Sequence, residues 1–110
     1  MSKKYKLIIS EPWDFIGPDG NNVILGKITK EITPYCAIFE STSPIELDNI
    51  KSSRFVLFTR YQGDQIEDAR RKGVSYVNIG ILLSEGIEFS PMNLEKNSKF
   101  AFIGSIELDV

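Results

Sequence analysis

The sequence predicts a mainly-β fold, a small, partly open β-barrel of about six strands with one short helix plugging an end. Three observations carry this. Short apolar runs recur between Gly, Pro and Asn turn signals along the whole of the 110 residues. One stretch alone has helical character, so parallel crossovers have nothing with which to cover a sheet. Residues 55–61 are apolar on both faces, as a central strand covered on each side must be. An antiparallel sheet backed by the helix, an α+β arrangement, is the alternative.

The elements follow in order. Residues 5–9 form a β-type run that stops before Pro12, which lacks a ladder donor and restricts Glu11. Gly17-Pro18-Asp19-Gly20-Asn21-Asn22 is the strongest turn signal, because Gly and Asn tolerate the positive φ that tight turns demand. Residues 23–32 read as a strand with Ile24, Ile28 and Ile32 on one face and Lys27, Thr29 and Glu31 on the other. Gly26, on the Ile face, marks a bulge or a close backbone approach. Residues 35–40 resume as strand after Pro34. Ser41-Thr42-Ser43-Pro44 reads as a loop, and 44–53 as irregular chain or a short edge strand.

The single helix is predicted over 64–72. Asp64 is placed to N-cap it, Glu67 stands three residues later as in a capping box, and Arg70, Arg71 and Lys72 meet the negative end. Gly73 suits the left-handed residue that ends a helix. Ile66 and Ala69 share its core-facing side. Residues 74–83 and 100–110 complete the strands, the latter with Phe100, Phe102, Ile106 and Leu108 on one face. Between them, 84–99 reads as a long loop.

Length and composition fit one globular domain, 1–110. A chain this long buries roughly 65% of its unfolded surface, enough for a core without staples. Hydrophobic residues make up 42% and charged residues 25%, which excludes a disordered composition. The net charge is −2, and residues 61–110 carry eight acids against five bases. Phosphate-binding surfaces need a basic excess, so the balance argues against nucleic acid. A lone cysteine, Cys36, has no internal partner and lies in an apolar run, which reads as a buried structural thiol in a cytoplasmic protein. Met1-Ser2-Lys3-Lys4 has no apolar leader, and no stretch approaches the ~20 apolar residues of a membrane span.

The missing side chains are as informative as those present. With no histidine, the usual base near neutral pH and the commonest transition-metal ligand are gone. One cysteine without histidine excludes Cys/His zinc sites and Ser-His-Asp or Cys-His nucleophilic arrangements. Gly17 to Gly20 lack the Lys-Ser/Thr and following helix of a phosphate loop, and Asp14, Asp19 and Asp48 fit no calcium loop. Asp64, Glu67 and Asp68 are explained by capping and solvation. No catalytic residue, metal or cofactor is assigned, and the chain is read as a non-enzyme.

Two segments suit recognition. Trp13, Asp14 and Phe15 place the only Trp in a loop, where aromatic anchors dominate protein contacts. The competing reading folds Trp13 and Phe15 back over the barrel's open end. Arg60 and Tyr61, at a strand-to-helix junction, suit a partner's carboxylate or phosphate. The competing reading is an ion pair of Arg60 with Asp64 or with a carboxylate across the sheet. The function expected is a protein-binding module of inhibitor, immunity or adaptor type, acting by surface contact, its acidity matching a basic partner. The alternatives are a barrel binding a small ligand or single-stranded nucleic acid, with Phe58, Tyr61, Tyr76 and Phe102 as stacking platforms, and a self-assembling subunit pairing through the edge near Val110.

Overall fold

Alternation along the strands sorts side chains into a lumen and an outer surface. The computed structural model describes residues 4–11, 15–17, 20–47, 50–82 and 98–109. These form β1 (Lys4–Glu11), β2 (Ile16–Gly17), β3 (Gly20–Asn21), β4 (Val23–Thr33), β5 (Cys36–Leu47), β6 (Ile50–Thr59), α1 (Asp68–Lys72), β7 (Ser75–Leu82) and β8 (Ser98–Leu108). The fold is mainly β, a six-stranded antiparallel barrel in the order β1-β4-β5-β6-β7-β8 with one short helix. It is closed where a partly open barrel was predicted. β8 returns to β1, pairing Tyr5 with Leu108 and Leu7 with Ile106. Both sides of β8 are therefore occupied, by β1 and β7, so it presents no free edge. Val110 and most of the loop predicted over 84–99 lie outside the described residues; Ser98 and Lys99 already belong to β8.

Closure of so few strands needs strong coiling, and bulges and glycines supply it. Register shifts fall between Ile28 and Lys30, Glu31 and Thr33, Glu40 and Ile45, and Ile79 and Gly80. At Gly26 a Cβ atom would lie 2.2 Å from the Glu40 carbonyl oxygen, and at Gly104 2.1 Å from that of Ile8. Only glycine allows these strands to approach so closely, as the sequence suggested for Gly26.

The bulge between Ile28 and Lys30 also corrects one predicted face. Ile24 and Ile28 look into the lumen, but Ile32 emerges outside, packed on a second cluster of Cys36, Ile38 and Val56. Glu31 takes the lumen-facing register opposite Ala37, at the barrel rim. Outward-facing Ile38 and Val56 are fully buried, so β5 and β6 are covered on both faces, as the sequence of 55–61 required.

The loop predicted over 41–44 and the irregular stretch over 44–53 are instead the outer halves of β5 and β6. Four residues, 41–44, stand opposite Ser53 in a large bulge between the pairs Glu40–Arg54 and Ile45–Ser52. The Ser41 hydroxyl holds it, donating to the Ser43 carbonyl at 2.7 Å with the Ser53 carbonyl at 3.3 Å. Pro44 sits where no ladder donor is needed. Beyond the bulge, Ile45 joins the lumenal core.

The helix is shorter than predicted. Turns fall at residues 62–63 and 66–67, and α1 starts at Asp68. Asp64 does not cap it, and Glu67 at the N-cap makes no side-chain cap bond. The Asp68 carboxylate instead secures the turn that leads into the helix, accepting from the Gln65 N–H at 2.9 Å. The C-terminal prediction holds: Gly73 has φ 94° and its N–H reaches the Ala69 carbonyl at 3.1 Å. Ile66 and Ala69 are buried as predicted and plug one end of the lumen. Among the described residues no helix is long and apolar enough to cross a membrane.

Candidate functional site

The lumen is filled. Leu7, Ile24, Phe39, Phe55, Leu57, Ile79, Phe102 and Ile106 occupy it, with Ile66 at the helix end and Phe15 toward the β2–β3 end. Phe15 is 8% exposed and meets Phe102 edge-on, with centroids 4.8 Å apart at 68°. Burying such a ring is worth about 1.5–3 kcal/mol, and in this position it offers a partner no surface. Of the first candidate segment, Trp13 and Asp14 lie outside the described residues. Around Phe15, Asn22 at φ 59° closes a turn by donating to the Phe15 carbonyl at 2.9 Å, in agreement with the predicted turn chemistry.

The second candidate segment is at the opposite, helix-bearing end. Arg60 extends the β6–β7 ladder by one rung, its N–H donating to the Tyr76 carbonyl at 3.0 Å. This follows the pairing of Thr59 with Val77 and sets Arg60 directly across from Tyr76, on the outer face. Tyr61 follows at the start of a turn that Asp64 closes by donating its N–H to the Tyr61 carbonyl at 3.1 Å. Gly63, at φ 95°, makes that reversal without strain. The strand end and the turn thus bring three side chains together.

Their geometry is specific. The Arg60 guanidinium carbon lies 5.0 Å from the Tyr61 ring centroid and 5.9 Å from that of Tyr76, within cation–π range of both. One guanidinium nitrogen donates to the Tyr61 hydroxyl at 2.8 Å. The two rings meet edge-to-face, 5.7 Å apart at 74°. Tyr61 is 52% exposed and Tyr76 45% exposed. Tyr35 is a third exposed tyrosine at this end, in the β4–β5 turn, its carbonyl accepting the Thr59 N–H at 3.1 Å.

The ion pair of Arg60 with Asp64 does not form. Among the described residues Arg60 has no carboxylate partner, while one Asp64 carboxylate oxygen is buried without a hydrogen bond. The basic run of the helix is, by contrast, neutralised where it stands. Arg70 bonds Glu67, Arg71 bonds Asp68, and the Lys72 ammonium lies 3.8 Å from Asp68. The Gln65 N–H bond, with Arg71 and Lys72 assisting, holds the Asp68 carboxyl below the usual aspartate value. Glu67 raises the Arg70 value in turn. Burial pushes the Tyr5 hydroxyl up at the same rim, with Arg70 opposing and Glu31 and Glu67 reinforcing.

Of the four proposed stacking platforms, Tyr61 and Tyr76 are available. Phe102 is inside the lumen, and Phe58 is packed on the outer cluster. Tyr76 belongs to the site with Arg60 and Tyr61, although sequence reasoning named it only as a platform. Its signal was present: an aromatic in the outward phase of Ser75-Tyr76-Val77-Asn78-Ile79. Burial pushes the Cys36 thiol up to about 11, which removes it as a nucleophile near neutral pH. An open depression of about 270 Å³, lined in part by Lys4, Lys27 and Glu40, lies outside the barrel. The Arg60 cluster therefore offers ring faces and guanidinium donors, suited to contact. No family model, curated protein or solved structure matches the chain.

Proposed function

We propose that this domain is a non-enzymatic protein-binding module, of the inhibitor, immunity or adaptor kind, that acts by surface contact through Arg60, Tyr61 and Tyr76. The observation that carries the reading is the exposed pair of tyrosines locked edge-to-face around a guanidinium that has no carboxylate partner among the described residues. Tyr and Arg are the residues most enriched among energetic anchors of protein interfaces. Here they project from the end of a barrel whose filled lumen gives them a rigid base, so little side-chain freedom is lost on docking. A cytoplasmic setting belongs to this reading, supported by a single buried thiol. The net charge of −2 favours approach of a basic partner at long range.

The test is affinity capture from the native cytoplasm with the wild type and with the double variant Tyr61→Ala/Tyr76→Ala. The reading predicts a stoichiometric protein partner whose affinity falls at least about thirty-fold in the variant, the equivalent of 2 kcal/mol. The double variant should still unfold cooperatively, with a melting temperature lowered by no more than about 8 °C, the loss of one surface aromatic pair. Full retention of the partner by the double variant, or no stoichiometric partner at all, defeats the proposal. Single-stranded nucleic acid is the second reading, favoured by the exposed faces of Tyr61 and Tyr76. Capture abolished by nuclease treatment would establish it in place of a protein.

A further inference from the structure

The chemistry of the partner surface follows from how Arg60 is held. Its guanidinium lies against two ring faces and donates one N–H to the Tyr61 hydroxyl. A guanidinium carries five N–H donors in a fixed fork, and no further side-chain bond of Arg60 is formed among the described residues. Two rings within about 6 Å and the bond to the Tyr61 hydroxyl restrict the guanidinium while leaving most of its donors unused by the described side chains. That is the preorganised form in which arginine grips a planar, two-oxygen acceptor. Charge points the same way. The helix cations are each met by Glu67 or Asp68, whereas Arg60 lies against two tyrosine rings and has no carboxylate partner among the described residues. The local sign at the cluster is therefore positive on a chain whose net charge is −2.

We propose that the segment docking on this cluster is a peptide presenting an aspartate or glutamate carboxylate, received by the Arg60 fork between Tyr61 and Tyr76. The proposal rests on the protein-binding reading above and names the contact it makes. A polyphosphate strand is the poorer match, because backbone binding draws on several cations at once and the cluster supplies one. Against a carboxylate one guanidinium is sufficient, and the tyrosine rings accept the apolar residues beside it.

The experiment is a two-dimensional NMR titration of the full chain with three probes: the peptide acetyl-Ala-Glu-Leu-Glu-Ala-amide, its counterpart with Gln at both Glu positions, and inorganic phosphate. The Arg60 Nε–H resonance, assigned by its loss in Arg60→Gln, is the readout. The proposal predicts that it shifts saturably with the Glu peptide, with a Kd on the order of 1–10 mM, and at least about five-fold more weakly with the Gln peptide. Equal responses to the two peptides, no shift with either, or a response to phosphate as strong as to the Glu peptide each overturn it. Arg60→Gln then separates the two proposals in the capture assay. If it retains the partner that Tyr61→Ala/Tyr76→Ala loses, the docking surface stands and the carboxylate contact fails. If Arg60→Gln loses the partner at least about ten-fold while keeping the wild-type melting temperature, both stand.

Discussion

At Gly26 the β4 backbone lies against the Glu40 carbonyl and the edge of the Phe39 ring, with no space for a methyl group. A clash with backbone is not relieved by a rotamer change. We expect Gly26→Ala to destabilise the fold by about 3 kcal/mol or more in urea denaturation; a loss under about 1 kcal/mol would show that the strands do not approach so closely. The position of Gly26 on an apolar face was legible in the sequence because alternation fixes the face. Cys36 was legible for the same reason. Its raised value, to about 11, also sets a direction with pH. A thiol harder to ionise when folded contributes stability in full below its unfolded value, near 9, and loses it as pH rises toward 11. Wild type should therefore lose about 2–3 kcal/mol more than Cys36→Ala between pH 9 and 11. Parallel alkaline limbs in the two proteins would contradict this. What the sequence did not disclose is that Arg60 meets no carboxylate among the described residues: Asp64 stands four residues away, beyond the turn at Gly63, and the two do not pair.

Helix α1 has five residues, too few to be stable in isolation, so its worth lies in what it buries. Ile66 and Ala69 close the lumen, and Ile66→Ala should cost about 2–4 kcal/mol by opening a cavity at that end. A thermal scan on the variant reads this directly, and a melting temperature unchanged from wild type would mean the helix does not seal the core. Asp68 has the opposite pH sense to Cys36. Its carboxyl is held below the ordinary value, so its contribution is present above about 3.9 and disappears as pH falls through the folded value. Asp68→Asn should therefore flatten the acid limb of the stability curve and leave the alkaline limb as it is. The end of the helix was legible, because Gly73 after three basic residues has one common meaning. Its start was not: Asp64 and Glu67 imitate a capping box, and the residue that captures a free N–H is Asp68 instead. The β5–β6 hairpin was obscured for a related reason. Ser-Thr-Ser-Pro has loop composition, and it becomes strand only because the Ser41 hydroxyl bridges the bulge to two carbonyls.

Over the whole molecule, the strands themselves were readable and their closure was not. Pairing Tyr5 with Leu108 joins the two ends of the chain, and no local pattern records a contact of that separation. A closed antiparallel barrel has no outer strands to fray, so amides of the β1–β8 ladder should exchange only through global unfolding, at the same free energy as those of β5–β6. Faster exchange at Ile8 and Ser105 would indicate an open seam. Closure also determines where function can reside. With the lumen filled, contact belongs to the outside, and the sequence offered two places for it, at opposite ends. Arg60 and Tyr61 were visible as a pair in the chain, whereas Tyr76 joins them through the β6–β7 register alone. A single photocrosslinking experiment separates the ends: a benzophenone amino acid is placed at position 76 in one protein and, in another, at position 16, where the exposed Ile16 adjoins the Phe15 end. A discrete adduct to one partner from position 76, with none from position 16, is the predicted result. An adduct from position 16 alone would contradict it and move the contact to the Trp13–Phe15 segment.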